Sequence, residues 1–195
     1  MNLPNKLTML RIILIPFMMF FYLASFIPFG IGKIVALVIF IVAALTDLLD
    51  GKIARKYNLV TNLGKFLDPI ADKILTAATL FMLMADGTIP APWGVIVVTI
   101  IIAREFMVSA LRLIAASKGV VLAADIWGKA KTMVQMIALP ILMLVPFLVA
   151  LNVVAWAVLT VAIIGWIALG AATVLTIVSG TNYLVKNRSC FKESK

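Results

Sequence analysis

Histidine is absent from this chain, and cysteine occurs once, as Cys190 near the C-terminus. These absences exclude a disulfide framework and any metal site built on imidazole, so a bound metal has to be held by oxygen. Acidic residues are scarce as well: 8 Asp and Glu stand against 17 Lys and Arg, and charged residues make up 13% of the chain. A water-soluble domain uses about twice that share. In their place, 64% of the residues are hydrophobic and the mean hydropathy is +1.17, the composition of an integral membrane protein. The apolar runs reach the about 20 residues that a helix needs to cross the hydrocarbon, and they lack the ten-residue alternation of an outer-membrane barrel. The expected fold is therefore all-α, a single membrane-embedded domain over 1–195 with six transmembrane helices and a short N-terminal interfacial helix.

A net charge of +9 in a soluble protein points to nucleic acid. Here the basic residues flank apolar segments and form no aromatic-interleaved groove, so membrane topology and anionic lipid account for them, and no nucleic-acid partner is expected. The N-terminal apolar run resembles a signal peptide, but Phe26-Ile27-Pro28-Phe29 offers no small-residue cleavage site, and the run is read as retained.

Residues 2–11 place Leu3, Leu7 and Leu10 on one helical face, with Leu14 continuing it, and set Asn5, Lys6 and Arg11 elsewhere, as in an interfacial helix. The six spans are expected at Ile12–Phe29, Ile34–Leu49, Pro69–Ala85, Trp93–Ala116, Thr132–Ala150 and Val153–Val185, with Pro16, Pro140 and Pro146 inside them. Apart from Lys33 and Arg104, every lysine and arginine falls at the N-terminus, in the second-to-third or fourth-to-fifth connections with their edges, or in the tail. Positive charge in short loops marks the cytoplasmic side. Both termini are accordingly expected in the cytoplasm.

Four of the 8 acidic residues lie within Asp47–Asp72. Carboxylates are costly inside a bilayer and mark function there. Residues three or four apart share a helix face, so Asp47 pairs with Asp50 at the end of span two, and Asp68 with Asp72 at the start of span three. An antiparallel return brings the pairs together. Clustered carboxylates repel one another unless a cation neutralises them, and oxygen ligands suit Mg²⁺ or Mn²⁺. Two such ions form the usual clamp for displacement at phosphorus. Gly51 and Ala54 let a ligand approach the backbone, or equally serve helix packing, while Arg55 can fork onto phosphate.

Taken together, Asp47-x-x-Asp50-Gly51-x-x-Ala54-Arg55, eight residues, then Gly64-x-x-x-Asp68-x-x-x-Asp72 resembles the signature of the CDP-alcohol phosphotransferase family at all eight of its positions. The resemblance implies a six-helix membrane fold and transfer from a CDP-linked alcohol to an acceptor hydroxyl, with CMP leaving. It further implies that Asp47, Asp50 and Asp68 bind two divalent ions, that Asp72 is the general base and a further metal contact, and that Gly51, Ala54 and Arg55 hold the CDP portion. A homodimer in the cell membrane, with its site facing the cytoplasm, is part of the same expectation.

Downstream, Arg104 is the most deeply placed charge, and the step to Arg112 keeps both arginines roughly on one face. With Lys129 and Lys131 they make an anion pocket for an acceptor phosphate. The alternatives are an internal pair between Arg104 and Glu105 or a motif carboxylate, and membrane-surface charge for the two lysines; Lys73 is read as a partner for the adjacent aspartate. The segments 5–16, 102–112 and 127–139 resemble the bacterial branch of the family that forms phosphatidylglycerophosphate, which implies CDP-diacylglycerol as donor and sn-glycerol 3-phosphate as acceptor. The start shared with that branch implies nucleotide contact by Asn5 and Thr8; capping of the N-terminal helix is the other reading. Inositol phosphate, serine or phosphatidylglycerol are alternative acceptors, and a divalent-cation transporter is the alternative from another class.

Overall fold

A computed structural model describes residues 2–56, 61–117 and 126–187; for 48–56 and a few single positions it describes the backbone alone. Cys190, Lys118, Arg188, Lys192 and Lys195 lie outside the described residues. Six helices follow in order: α1 Leu3–Leu23, α2 Ile31–Lys56, α3 Asn62–Ala85, α4 Trp93–Ser117, α5 Ile126–Ala150 and α6 Ala155–Lys186. No strand occurs among the described residues. Of these helices, α1, α4, α5 and α6 are long and apolar enough to cross a membrane, and the protein is a multi-pass, all-α membrane protein.

Contacts between helix ends give the topology. Thr8 meets Asp68 and Tyr22 meets Asp86, so α1 and α3 run parallel, while Arg11 meets Asp47 on the returning α2. Arg104 meets Ser179 and Arg112 meets Tyr183, which makes α4 and α6 parallel. The core runs through Met18, Phe40, Leu75, Leu83, Ile101, Leu139 and Leu142. Outward-facing positions are no less apolar, including Phe17, Phe81, Trp156 and Ile167, each more than half exposed. Only 28% of each candidate span is buried inside the protein, so hydrocarbon is the solvent that this surface suits.

Small residues set the closest helix approaches, as expected where apolar burial cannot drive association. A Cβ on Gly165 of α6 would lie 2.6 Å from Leu142 of α5, and one on Gly32 of α2 would collide with the Phe21 carbonyl of α1. Gly30, in the 3₁₀ turn Pro28–Gly30 that leads into α2, has φ +67°, where a side chain would strain the backbone.

The structure departs from several expectations about the N-terminal third. The interfacial helix is not separate: α1 is continuous from Leu3 through Pro16 to Leu23. It ends six residues before the expected Phe29, where the chain turns through Pro28. Its start is not an interfacial surface either, because Asn5, Thr8 and Arg11 are buried against α2 and α3. Helix α2 also continues to Lys56, past the expected Leu49, since polar residues beyond an apolar run do not stop a helix.

At the end of the bundle away from Asp47, Asp86 ties three helices together. Its carboxylate accepts from the Tyr22 hydroxyl at 2.5 Å, Lys33 Nζ at 3.2 Å and the Thr88 backbone N–H at 2.9 Å. Lys33 also stands 3.8 Å from the centre of the Tyr22 ring. Asp86→Ala strands a buried phenol and a lysine, and is expected to lower unfolding stability in detergent by about 2–3 kcal/mol. Thermal unfolding of the purified variant checks this, and a melting temperature equal to wild type counts against the clamp.

Candidate active site

The polar residues of α1 recur every third position. Asn5, Thr8 and Arg11 are 5%, 1% and 0% exposed, and all three face the helices that carry the acidic motif. Arg11 Nη1 donates to Asp47 Oδ1 at 2.7 Å, and Thr8 Oγ1 donates to Asp68 Oδ1 at 2.6 Å. Thr61 Oγ1 donates to Asn5 Oδ1 at 2.9 Å and itself accepts from the Gly64 N–H at 3.0 Å, capping α3. A Cβ on Gly64 would sit 2.8 Å from Asn5 Oδ1, so the signature glycine is where α1 and α3 touch. The capping alternative for Asn5 and Thr8 is not realised: the N-cap of α1 is Asn2.

Asp47 and Asp72 meet at a cavity of about 450 Å³. The rest of its wall is almost wholly apolar and comes from α2 and α5, with Phe40, Leu45, Met133 and Ile137 among the lining residues. One end of this space is thus anionic and the other oily. The side chains of Asp50, Gly51, Ala54 and Arg55 lie outside the described residues. Among the described residues no three ligand-type side chains are grouped closely enough to hold a metal ion. The donors that do share the cavity, Asp47 and Asp72, offer carboxylate oxygen only, and this chemistry fits a hard divalent cation.

A basic cluster lies beside Asp72. Lys131, 2% exposed, donates to Glu105 Oε1 at 2.5 Å, so it is an interior residue and the surface-charge reading fails for it. Arg104 divides its guanidinium: Nη1 reaches Glu105 Oε1 at 3.4 Å, Nη2 donates to Ser179 Oγ at 2.9 Å, and the buried Nε has no acceptor among the described residues. Its stem passes over Gly180, where a Cβ would stand 3.1 Å from Arg104 Cγ. One carboxylate, Glu105, therefore serves two cations, and the cluster retains positive charge. Arg112 does face α6 as Arg104 does, with Nε 3.4 Å from the Tyr183 hydroxyl, but it is exposed, and so is Lys129. Lys73 does not pair with its neighbouring aspartate; its Nζ donates to the Pro69 carbonyl at 3.2 Å.

Sequence reasoning missed Arg11, Thr61, Gln135 and Ser179. For Arg11 the signal was available: polar residues at 5, 8 and 11 recur on one face of an apolar helix. Ser179 and Gln135 carry no such mark, because a lone hydroxyl or amide in a span is equally a packing residue.

Comparison with known proteins agrees with this geometry. The family model for CDP-alcohol phosphatidyltransferase matches residues 1–179. The chain is 44% identical to the CDP-diacylglycerol--glycerol-3-phosphate 3-phosphatidyltransferase of Bacillus subtilis (strain 168), over 99% of this chain and 98% of that one. It is 39% identical to the Rickettsia felis enzyme of the same name over 93% of each, and 41% identical to that of Haemophilus influenzae over 71% and 73%. With the acidic motif braced by α1 and the match running over nearly its whole length, the chain belongs to the CDP-alcohol phosphatidyltransferase family.

Proposed function

We propose that this protein transfers the phosphatidyl group of CDP-diacylglycerol to sn-glycerol 3-phosphate, giving phosphatidylglycerophosphate and CMP. The observation that carries the reading is the cavity between α2 and α5, apolar along its wall and bordered by the carboxylates of Asp47 and Asp72. A lipid nucleotide has that polarity: acyl chains for the oily wall, a pyrophosphate for the acidic end. Relatives at 38–44% identity carry the corresponding enzyme name. A cation-transport role draws no support, since Asp47, Asp72 and Glu105 gather at one end and Asp86 at the other is already bonded to Tyr22 and Lys33.

In this reading Asp47, Asp50, Asp68 and Asp72 hold two Mg²⁺ or Mn²⁺ ions, which when bound neutralise the pyrophosphate and the departing CMP phosphate. Arg11 and Thr8 fix the orientation of Asp47 and Asp68. Gly51, Ala54 and Arg55 receive the CDP portion, with Asn5 and Thr8 bracing the same end. Arg104 and Lys131 take the acceptor phosphate, a role favoured by the unfilled Arg104 Nε, and Arg112 and Lys129 add positive charge at the approach. Asp72 takes the proton of the acceptor hydroxyl as its oxygen forms a bond to the phosphorus bearing diacylglycerol and the bond to CMP breaks. All six helices span the cell membrane, both termini and the site face the cytoplasm, and the enzyme is a homodimer.

Three outcomes test this. Purified protein in detergent, given labelled CDP-diacylglycerol and each candidate acceptor in turn, is expected to release CMP with glycerol 3-phosphate; product from another alcohol alone sinks the acceptor assignment. Chelation by EDTA is expected to abolish turnover and added Mg²⁺ or Mn²⁺ to restore it, while Asp50→Asn and Asp68→Asn lower kcat/KM by roughly 10³-fold. Lys131→Ala is expected to raise the KM for glycerol 3-phosphate by about 10- to 100-fold with the KM for donor little changed; equal effects on both substrates would remove Lys131 from the acceptor site.

A further inference from the structure

Gln135 lies one turn beyond Lys131 on α5 and is 2% exposed. Neither its Nε2 nor its Oε1 has a hydrogen-bond partner among the described residues. Native interiors rarely keep a buried amide with both ends unmatched, and each such exception calls for an explanation, a functional role or a bound small group among them. The residue lines a polar recess of about 20 Å³ with Asp72, Glu105 and Lys131, room for one water-sized group. This recess and the large cavity share Asp72, Thr132 and Met136, so the two adjoin.

The neighbouring hydroxyls in the recess are already engaged, Thr76 with the Asp72 carbonyl at 2.9 Å and Thr132 with the Gly128 carbonyl at 3.1 Å, while Lys131 uses one of its three N–H groups on Glu105 and keeps the others for an anion. Gln135 retains one donor group and one acceptor group. A hydroxyl, which both donates and accepts, is the group that matches such an amide. A carboxylate or phosphate satisfies the donor alone.

We propose that Gln135 is a specificity-determining residue that binds the non-reacting hydroxyl of the acceptor. This rests on the acceptor being a phosphorylated polyol, as above. The three polar groups of glycerol 3-phosphate then have three separate receivers: the phosphate at Arg104 and Lys131, the middle hydroxyl at Gln135, and the terminal hydroxyl at Asp72. Lys131, Gln135 and Asp72 all border the one recess, which has room for a single hydroxyl and adjoins the larger cavity where the rest of the acceptor would lie. Holding the middle hydroxyl turns the terminal one toward the base and excludes alcohols that lack it.

The test compares glycerol 3-phosphate with 3-hydroxypropyl phosphate, which lacks the middle hydroxyl, using full-length wild type, Gln135→Leu and Gln135→Met in detergent. Wild type is expected to favour glycerol 3-phosphate by about 10²-fold or more in kcat/KM. In Gln135→Leu that ratio is expected to fall to within about threefold of unity, through loss on glycerol 3-phosphate and not gain on the analogue. The melting temperature is expected to stay level or rise, because an unmatched buried amide has been removed; a purely structural glutamine would lower it. Gln135→Met, closer in shape, reads the same ratio if the leucine variant fails to fold. Turnover of glycerol 3-phosphate with an unaltered ratio in both variants overturns this inference alone, as does an equal loss on both acceptors. Wild type that forms no product from glycerol 3-phosphate overturns the parent assignment and this inference with it.

Discussion

The bond between Arg11 and Asp47 joins the first two helices through a guanidinium with no exposure at all. In a low-dielectric interior an unpaired charge costs far more than a paired one, so the fully buried Arg11 requires an acid beside it, and Asp47, 41% exposed, supplies that acid from the edge of the cavity. The pairing sets where α1 lies on α2, and Thr8, one turn back on the same face, carries the arrangement to Asp68 on α3. Asn5 extends it to the cap of α3 through Thr61 and Gly64. Carboxylates gathered at one end of a bundle repel one another. A cation and a hydroxyl delivered from α1 offset part of that repulsion and hold two of the acids in fixed directions.

This end of the bundle depends on its opposite. Asp86 binds Tyr22 of α1 and Lys33 of α2 at the far side of the same helices, so the α1–α2–α3 unit is pinned at both ends by charge and in between by packed apolar side chains. Two polar clamps about a helix length apart fix the register of the three helices along their axes. Apolar contacts alone, in a solvent as apolar as the side chains, do so weakly.

Much of this was legible in the sequence, for a common physical reason. Charges in an apolar chain are expensive, so those that remain are informative, and Asp47, Asp68, Asp72 and Arg104 stood out at once. The all-helical class followed from run length. Helix ends were less legible: hydropathy reports where a segment prefers lipid, not where its hydrogen bonding stops, which is why α1 starts at Leu3 and α2 passes Leu49. Arg11 was read as a charge flanking a span, and membrane-surface charge stayed open for Lys131 beside the anion pocket, because a basic residue near a span end looks the same whether it faces water or a buried carboxylate. Only packing distinguishes the two. Gln135 gave no signal, since its significance lies in what fails to bond with it.

The site divides along the bundle. Asp47 and Asp68 are held by α1, whereas Arg104 and Lys131 are held by Glu105 and Ser179 within α4, α5 and α6. The two halves touch at Asp72, which borders both the large cavity and the small recess. The braces on Asp47 and Asp68 come from α1, whereas the bonds of Arg104 and Lys131 run to residues of α4 and α6. A signature confined to α2 and α3 can then keep donor and reaction constant while the α4–α6 side is altered for a different alcohol. Asp72 is the acid that borders both spaces, so in the proposed reaction it serves donor and acceptor alike, and moving it for a new acceptor would disturb the shared chemistry.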